Sequence, residues 1–450
     1  LYIIRENSVL DCNAFTKIHS AILIAIIIIA ALGGTAAYFF LGRQGQSSMT
    51  IKIGILADID ANTGRHVWQS AILAAEHLNA KGGMLGRQVQ IIAEDSDEET
   101  SRDLTVISSA LNRLLTLDDV DFVITSGSGE KAYMIQDLCA EHKKIHIFYA
   151  GNENGLTQRV IDDYDKYKYF FRYIWGNDTY LESQSIDELL QIREITGFNN
   201  VGYLADDHVW NKGTREEMDV SLPENGFNLV YKGKFPPYDT FDFSSYFAAA
   251  EAAGVEILVP LSIYDSGIAL VKEYYDRQSP MLICGGAILR TSSMDGWEQT
   301  DGKCVYTVNR INGVTDGYPT TNQTLLFHDS YIQRWGEAPI FHGGFSYDII
   351  RFVLSEALEK AGTTETEDVI KALEEIEVET TGARKFAFTP SHDVLHLEGK
   401  IGNPDDYGPI NSSFQWKEDG SLIPIYPKWL MEEAGAAITF PDWPGPWDKK

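Results

Sequence analysis

The run IKIGILA at residues 51–57 is short and rich in β-branched residues, and it reads as a strand. A loop holding Asn62, Thr63 and Gly64 follows, and the helical spacing of Ile72, Ala75 and Leu78 predicts a helix from about Trp68 to Ala80. Lys81-Gly82-Gly83 ends that helix, and QVQIIA at 88–93 is the next strand. Helices over about 101–115 and 130–142 then alternate with strands at 121–125 and 145–149. Strict alternation of strand and helix predicts a parallel sheet with helices on both faces.

The rhythm restarts after residue 180. Helices are expected at 182–195, 212–222, 243–253 and 267–277, and strands at 200–205, 228–231, 257–260 and 281–284. The chain is therefore expected to form two doubly wound α/β lobes. Two more helices fall between residues 323 and 362, with Tyr347, Ile350, Val353, Leu354 and Leu358 forming an apolar stripe. The stretch from 423 to 429 and beyond is rich in Pro and Trp and reads as irregular.

At 450 residues and 44% apolar content, the chain can bury the cores of two or more domains. Ahead of the first strand, residues 21–42 (AILIAIIIIAALGGTAAYFFLG) carry no charge. As a helix this run would span about 33 Å, enough to cross a bilayer core. It reads as a retained single-pass anchor, because the apolar region of a cleaved signal usually holds only about 7–15 residues. Processing near Gly34-Thr35-Ala36-Ala37 is the alternative. Arg5 and Lys17 cancel Glu6 and Asp11, so the net charge of −28 belongs to the residues after the apolar run. Such a surface repels nucleic acid, and no basic stripe offsets it.

Four cysteines are few for a disulfide scaffold. Cys12 precedes the apolar run and Cys139 falls in a helical pattern as a core residue. Cys284 and Cys304 read as unpaired buried thiols, with a disulfide between them as the alternative in an oxidising space. Asn177, Asn322 and Asn411 stand in N-x-S/T sequons, which fit an exterior location and also arise by chance.

Further features occur in a recognisable combination. The IKIGILA strand leads to Leu78-Asn79-Ala80-Lys81-Gly82-Gly83, then Leu85-Gly86-Arg87, then a strand ending in Glu94-Asp95. Val123-Ile124 with residues 126–129, Tyr149-Ala150-Gly151, DDHVWNKG at 206–213 and Phe345-Ser346-Tyr347-Asp348 follow in order. Over about residues 50–435 the chain resembles the branched-chain amino-acid-binding (Leu/Ile/Val-binding) family, with the type I periplasmic-binding-protein fold. The resemblance implies two lobes joined by three crossovers, here near residues 173–177, 306–309 and 383–388, that close on a ligand like a hinge. The expected organisation is a short N-terminal segment (1–20), the anchor (21–42), a linker (43–50), lobe 1 (51–173 and 308–385), lobe 2 (174–307 and 386–435) and a Pro/Trp-rich tail (436–450).

Ligands of open α/β sheets bind beyond the carboxyl ends of the strands. Those ends are residues 126–129, 150–152, 206–210, 261–265 and 285–286. They make Ser126, Ser128, Gly129, Glu130, Ala150, Gly151, Asn152, Trp210, Tyr264, Asp265 and Gly286 the candidate ligand-binding residues. The loop from Ser126 to Glu130 opens a helix, so free N–H groups and serine hydroxyls favour an anion there, besides serving as cap and turn. The resemblance assigns an α-carboxylate to this loop and to backbone at Ala150 and Asn152, and gives Trp210 the role of an aromatic cover, with ordinary core packing as the alternative. Relatives for aliphatic amino acids carry an acid where this chain reads Cys284-Gly285-Gly286, which leaves Asp265 to meet an ammonium. Thr63, Arg65 and Trp68 stand near the mouth, with Arg65 read as a solvated arginine.

Gly127-Ser128-Gly129-Glu130-Lys131-Ala132 also matches a relaxed dinucleotide pattern, but it follows the third strand rather than the first. No G-x-S-x-G, H-E-x-x-H or C-x-x-C is present, and His208, His342 and His392 are isolated, so neither an enzyme nor a metal or other cofactor is expected. The resemblance implies an extracytoplasmic substrate-binding protein of an ABC importer that captures a small polar solute such as an amino acid or amide. Its partners would be permease and ATPase subunits, and the N-terminal helix would hold it to the cell membrane with the soluble part extracellular or periplasmic. A ligand-sensing receptor domain acting with a separate signalling partner is the alternative.

Overall fold

β1 (Ile51–Ala57) lies between two parallel neighbours, β2 (Val89–Asp95) and β3 (Phe122–Thr125). β4 (Ile145–Phe148) and β5 (Phe170–Arg172) extend the sheet in parallel to the order β2-β1-β3-β4-β5. Six of the seven β1 residues are buried, which is why the run lacks the alternation of a half-exposed strand. The second sheet repeats the plan. β6 (Asn200–Asp206) sits between β7 (Asn228–Phe235) and β8 (Ile257–Leu261), with β9 (Leu282–Ile283) beyond β8, all parallel. This computed structural model describes residues 50–97, 103–126, 130–174, 176–237, 240–262, 266–289, 293–312, 318–340, 342–397 and 399–449. The apolar run at 21–42 and Cys12 lie outside them. Among the described residues no helix is long and apolar enough to cross a membrane.

Helices α1 (Asn62–Asn79), α2 (Leu104–Asn112), α3 (Glu130–Glu141) and α4 (Asn154–Asp162) wrap the first sheet, and α5 (Asp178–Thr196) and α6 (Lys212–Glu224) pack together on the second. α1 begins earlier than the spacing of its apolar residues predicts, taking in Asn62, Thr63 and Gly64. A Cβ at Gly64 would lie 1.9 Å from the Asp58 carbonyl oxygen, so this glycine serves a close approach of helix to strand end rather than a loop.

A third, antiparallel sheet was not legible in the sequence. β10 (Val308–Asn312), β11 (Asn411–Trp416) and β12 (Leu422–Tyr426) pair in that order, so the stretch expected to be irregular holds a strand and then a helix (Lys428–Glu433). The reason lies in β11, whose six residues are all buried although four are polar. Asn411 donates to Gln184 Oε1, Ser413 to Glu188 Oε2, and Gln415 to the carbonyls of Tyr306 and Thr439. Hydrogen bonding replaces apolar patterning there.

Apolar packing divides the molecule. One cluster runs from Ile51 to Leu181 and resumes from Phe327 to Phe388, with Val394, Phe414 and Leu430; another holds Ile186 to Val308 with Trp416, Ile425, Trp443 and Trp447. Phe386 and Phe388, expected in the second lobe, pack on Tyr173 and Phe171 of the first at ring separations of 4.6 and 5.0 Å. Beyond Val394 the chain feeds both clusters, Phe414 and Leu430 going to the first and Trp416 and Ile425 to the second. Asp348 of the FSYD motif accepts from the Tyr173 hydroxyl at 2.7 Å, and burial pushes its carboxyl up to about 6. Cys139, Cys284 and Cys304 are buried and free, and burial raises the Cys304 thiol to about 11. Asn411 is buried and its amide is engaged, so that sequon is closed to modification in the folded chain.

The Pro/Trp-rich tail docks on the second lobe. Trp443 meets Tyr274, Tyr275 and Tyr306 edge-on at 5.6–5.7 Å and donates to the Ser279 carbonyl at 3.0 Å. Trp443→Ala is expected to cost about 3–5 kcal/mol, read from urea unfolding; a loss under about 1 kcal/mol would show that the tail does not stabilise this lobe.

Candidate functional site

In each lobe a buried arginine holds the loop at the carboxyl end of a strand. After β4 the chain turns at Gly151, whose φ of +72° suits glycine, and continues through the buried Asn152 and Glu153. Arg172, at the end of β5, is wholly buried and donates through Nη1 to the carbonyls of both Gly151 and Glu153 at 3.0 Å. The carbonyl between them, that of Asn152, accepts from the Asp178 N–H at 3.0 Å. Arg172 also pairs with Asp393 through Nε at 2.8 Å and through Nη2. Burial would raise the Asp393 carboxyl, but the Arg172 charge and hydrogen bonds outweigh it and hold it below its ordinary value. Asn177, which caps α5 by accepting from the Tyr180 N–H, donates to Asp393 as well.

The second lobe has a similar arrangement at Gly285 and Gly286. The Gly285 N–H donates to Glu188 Oε1 at 2.9 Å, and its carbonyl accepts from Arg310 Nη2 at 2.8 Å. Arg310 and Glu188, both buried, pair at 3.4 Å, and Ser413 donates to the same carboxylate. A Cβ at Gly286 would lie 1.9 Å from the Pro260 carbonyl oxygen, so the backbone excludes any side chain, acidic or otherwise, at this position.

Of the expected site residues, Ser126 and Ala150 are half-buried at the ends of β3 and β4, beside Gly151 and Asn152. Glu130 opens α3. Ser128, Gly129, Tyr264 and Asp265 lie outside the described residues. The structure brings Asn152 and Trp210 together from opposite lobes: Asn152 Nδ2 donates to the Trp210 carbonyl at 3.5 Å. The Trp210 indole itself packs in the second apolar cluster, with Nε1 donating to Asp206 at 2.8 Å. Arg65, read as solvated, pairs with Glu337 and donates to Asn62 Oδ1. His392 is satisfied by the Phe170 carbonyl and Glu374 and stacks on Phe171.

Sequence reasoning missed Arg172, Asp393, Glu188, Arg310 and Asp178. The available signal was position: Arg172 ends an apolar strand, and Glu188 sits on the apolar side of α5 between Ile186 and Leu189. Asp178, at the start of α5, accepts from Thr214 Oγ1 at 3.3 Å, and Gly213 leaves room for its carboxyl, since a Cβ there would lie 2.4 Å from Oδ2. Burial, then the nearby Glu153, pushes Asp178 up to about 7.

A family model described as periplasmic binding protein matches residues 50–396. The chain is 21% identical over 418 residues to Leu/Ile/Val-binding protein homolog 7 of Brucella melitensis, covering 90% of this chain and 96% of that one. A Silicibacter pomeroyi structure provisionally described as a branched-chain amino acid ABC transporter is similar with a TM-score of 0.74 at 16% identity, covering 88% of this chain and all (100%) of that one. The branched-chain amino acid transporter substrate binding protein LivJ of Streptococcus pneumoniae, in complex with isoleucine, is similar with a TM-score of 0.66 at 16% identity, covering 83% and 98%. At these identities the structural likeness is one of fold.

The Asp178 environment sets a pH dependence. Its carboxyl keeps a proton up to about 7 in the folded chain, whereas an unfolded aspartate loses it near about 4. Stability from this group is present below about 4 and is lost as pH rises to about 7. Asp178→Asn is expected to flatten that part of the profile of urea midpoints against pH. An equally steep profile in both proteins would contradict the assignment.

Proposed function

The chain belongs to the periplasmic binding protein family, and from that premise we propose that it is the substrate-binding protein of an ABC importer. It captures a small polar solute between its lobes and hands it to permease and ATPase subunits. The observation that carries the reading is the meeting of Asn152 and Trp210, loop residues from the carboxyl ends of strands in two separate parallel sheets. The relatives' names point to branched-chain amino acids, and the proposed solute class extends from these to amides and related small polar compounds.

In this reading Ser126, Ser128, Gly129, Glu130, Ala150, Gly151 and Asn152 take the anionic or carbonyl end of the solute. Trp210, Tyr264, Asp265 and Gly286 form the opposite wall. With side chains excluded at Gly286, Asp265 is the acid that meets an ammonium. The solute leaves chemically unchanged, and the run at 21–42 anchors the protein to the cell membrane with its lobes outside the cytoplasm.

A thermal-shift screen against amino acids, amides, urea and small organic acids tests this. A true ligand at about a hundredfold its Kd adds about 2.7 kcal/mol of stability. At least one member is expected to raise Tm, and Ser128→Leu is expected to abolish the rise by filling the N–H cradle. A ligand whose effect survives Ser128→Leu unchanged would move the site elsewhere.

A further inference from the structure

We propose that Arg172 is a positioning residue for ligand capture, orienting the loop at residues 151–153 and tying it to the crossovers through Asp393; this rests on the transport reading above. The three consecutive carbonyls of Gly151, Asn152 and Glu153 are all engaged, two by Arg172 and one by the Asp178 N–H. A loop whose carbonyls are occupied this way is set to present its N–H groups to a solute.

The same guanidinium reaches the moving parts. Asp393 directly precedes Val394, beyond which the chain feeds both apolar clusters, and Asn177, which also donates to it, caps α5, the helix that runs from Leu181 of the first cluster to Ile186 of the second. The Arg172 N–H packs against the same segment, donating to the His392 carbonyl at 2.9 Å. One side chain therefore links the capture loop to two crossovers, so a change of hinge angle is felt at residues 151–153. A fully buried ion pair is poor value as a stabiliser when apolar packing would serve, and a role in fixing geometry accounts for its presence. Lysine cannot replace it, because a single ammonium cannot reach two carbonyls and both carboxylate oxygens in one plane.

The test begins with amide exchange of the unliganded protein. In Arg172→Lys the segment 149–156 is expected to exchange at least about tenfold faster, with β8 (Ile257–Leu261) unchanged. The affinity for the solute identified by the screen is expected to fall by about thirtyfold. A control of matched Tm loss, Ile107→Ala in the separate cluster under α2, is expected to move neither. Asn177→Ser, which keeps an N-cap acceptor for α5 and removes the amide donor to Asp393 while leaving Arg172 in place, is expected to shift both readings in the same direction by about threefold, and it carries the test should Arg172→Lys fail to fold. Unchanged exchange at 149–156, or faster exchange with affinity no different from the control, overturns the proposal. If no solute in the screen binds, the transport reading fails on its own, and the exchange arm still decides whether Arg172 orders the loop.

Discussion

The charge of Arg172 is buried where water cannot solvate it, and the fold around it is arranged to satisfy that one group. Asp393 comes from far along the chain, the carbonyls of Gly151 and Glu153 come from the loop after β4, and Thr157 contributes from α4. Losing any of these partners leaves a buried donor unmet, which costs about 1–3 kcal/mol for each orphaned group and more when it is charged. The loop, the end of β5 and the 389–394 segment are thus fixed relative to one another. Arg310 and Glu188 repeat the device in the second lobe, fixing Gly285 to α5 and β11. In each lobe a candidate binding loop is supported from beneath by a buried charge pair.

The parallel sheets were legible because their strands carry their information locally. Short apolar runs at 51–57, 122–125 and 257–261 alternate with helical spacing, and burial on both faces makes each run nearly free of polar residues. The antiparallel sheet was opaque for the opposite reason. Asn411, Ser413 and Gln415 are inside, and their partners Gln184, Glu188, Tyr306 and Thr439 are remote in sequence. No window of local pattern contains that pairing. The tail was misleading in the same way, since Trp443 and Trp447 count as irregular by composition but fill the second core.

The candidate site was legible in outline and not in its supports. The strand-end rule led to Ala150, Gly151, Asn152 and Trp210, and two of these do meet across the lobes. The resemblance gave Trp210 the role of an aromatic cover, with core packing as the alternative; in the structure the indole lies in the second cluster, Nε1 donates to Asp206, and the carbonyl accepts from Asn152. That outcome depends on a buried aspartate four residues earlier, which a residue-by-residue reading treats as a loop acid. The glycine at 286 is explained by the approach of the Pro260 carbonyl, so the missing acid there is a consequence of strand packing.

Both lobes present loops held by their own charge pairs, and a solute bridging them should draw them together. Small-angle scattering of residues 45–450, with and without the solute that raises Tm, measures this directly. A smaller radius of gyration with ligand, reversed on its removal, is the result this account predicts. A tight-binding solute that leaves the scattering curve unchanged would contradict it, because capture would then occur on one lobe without closure.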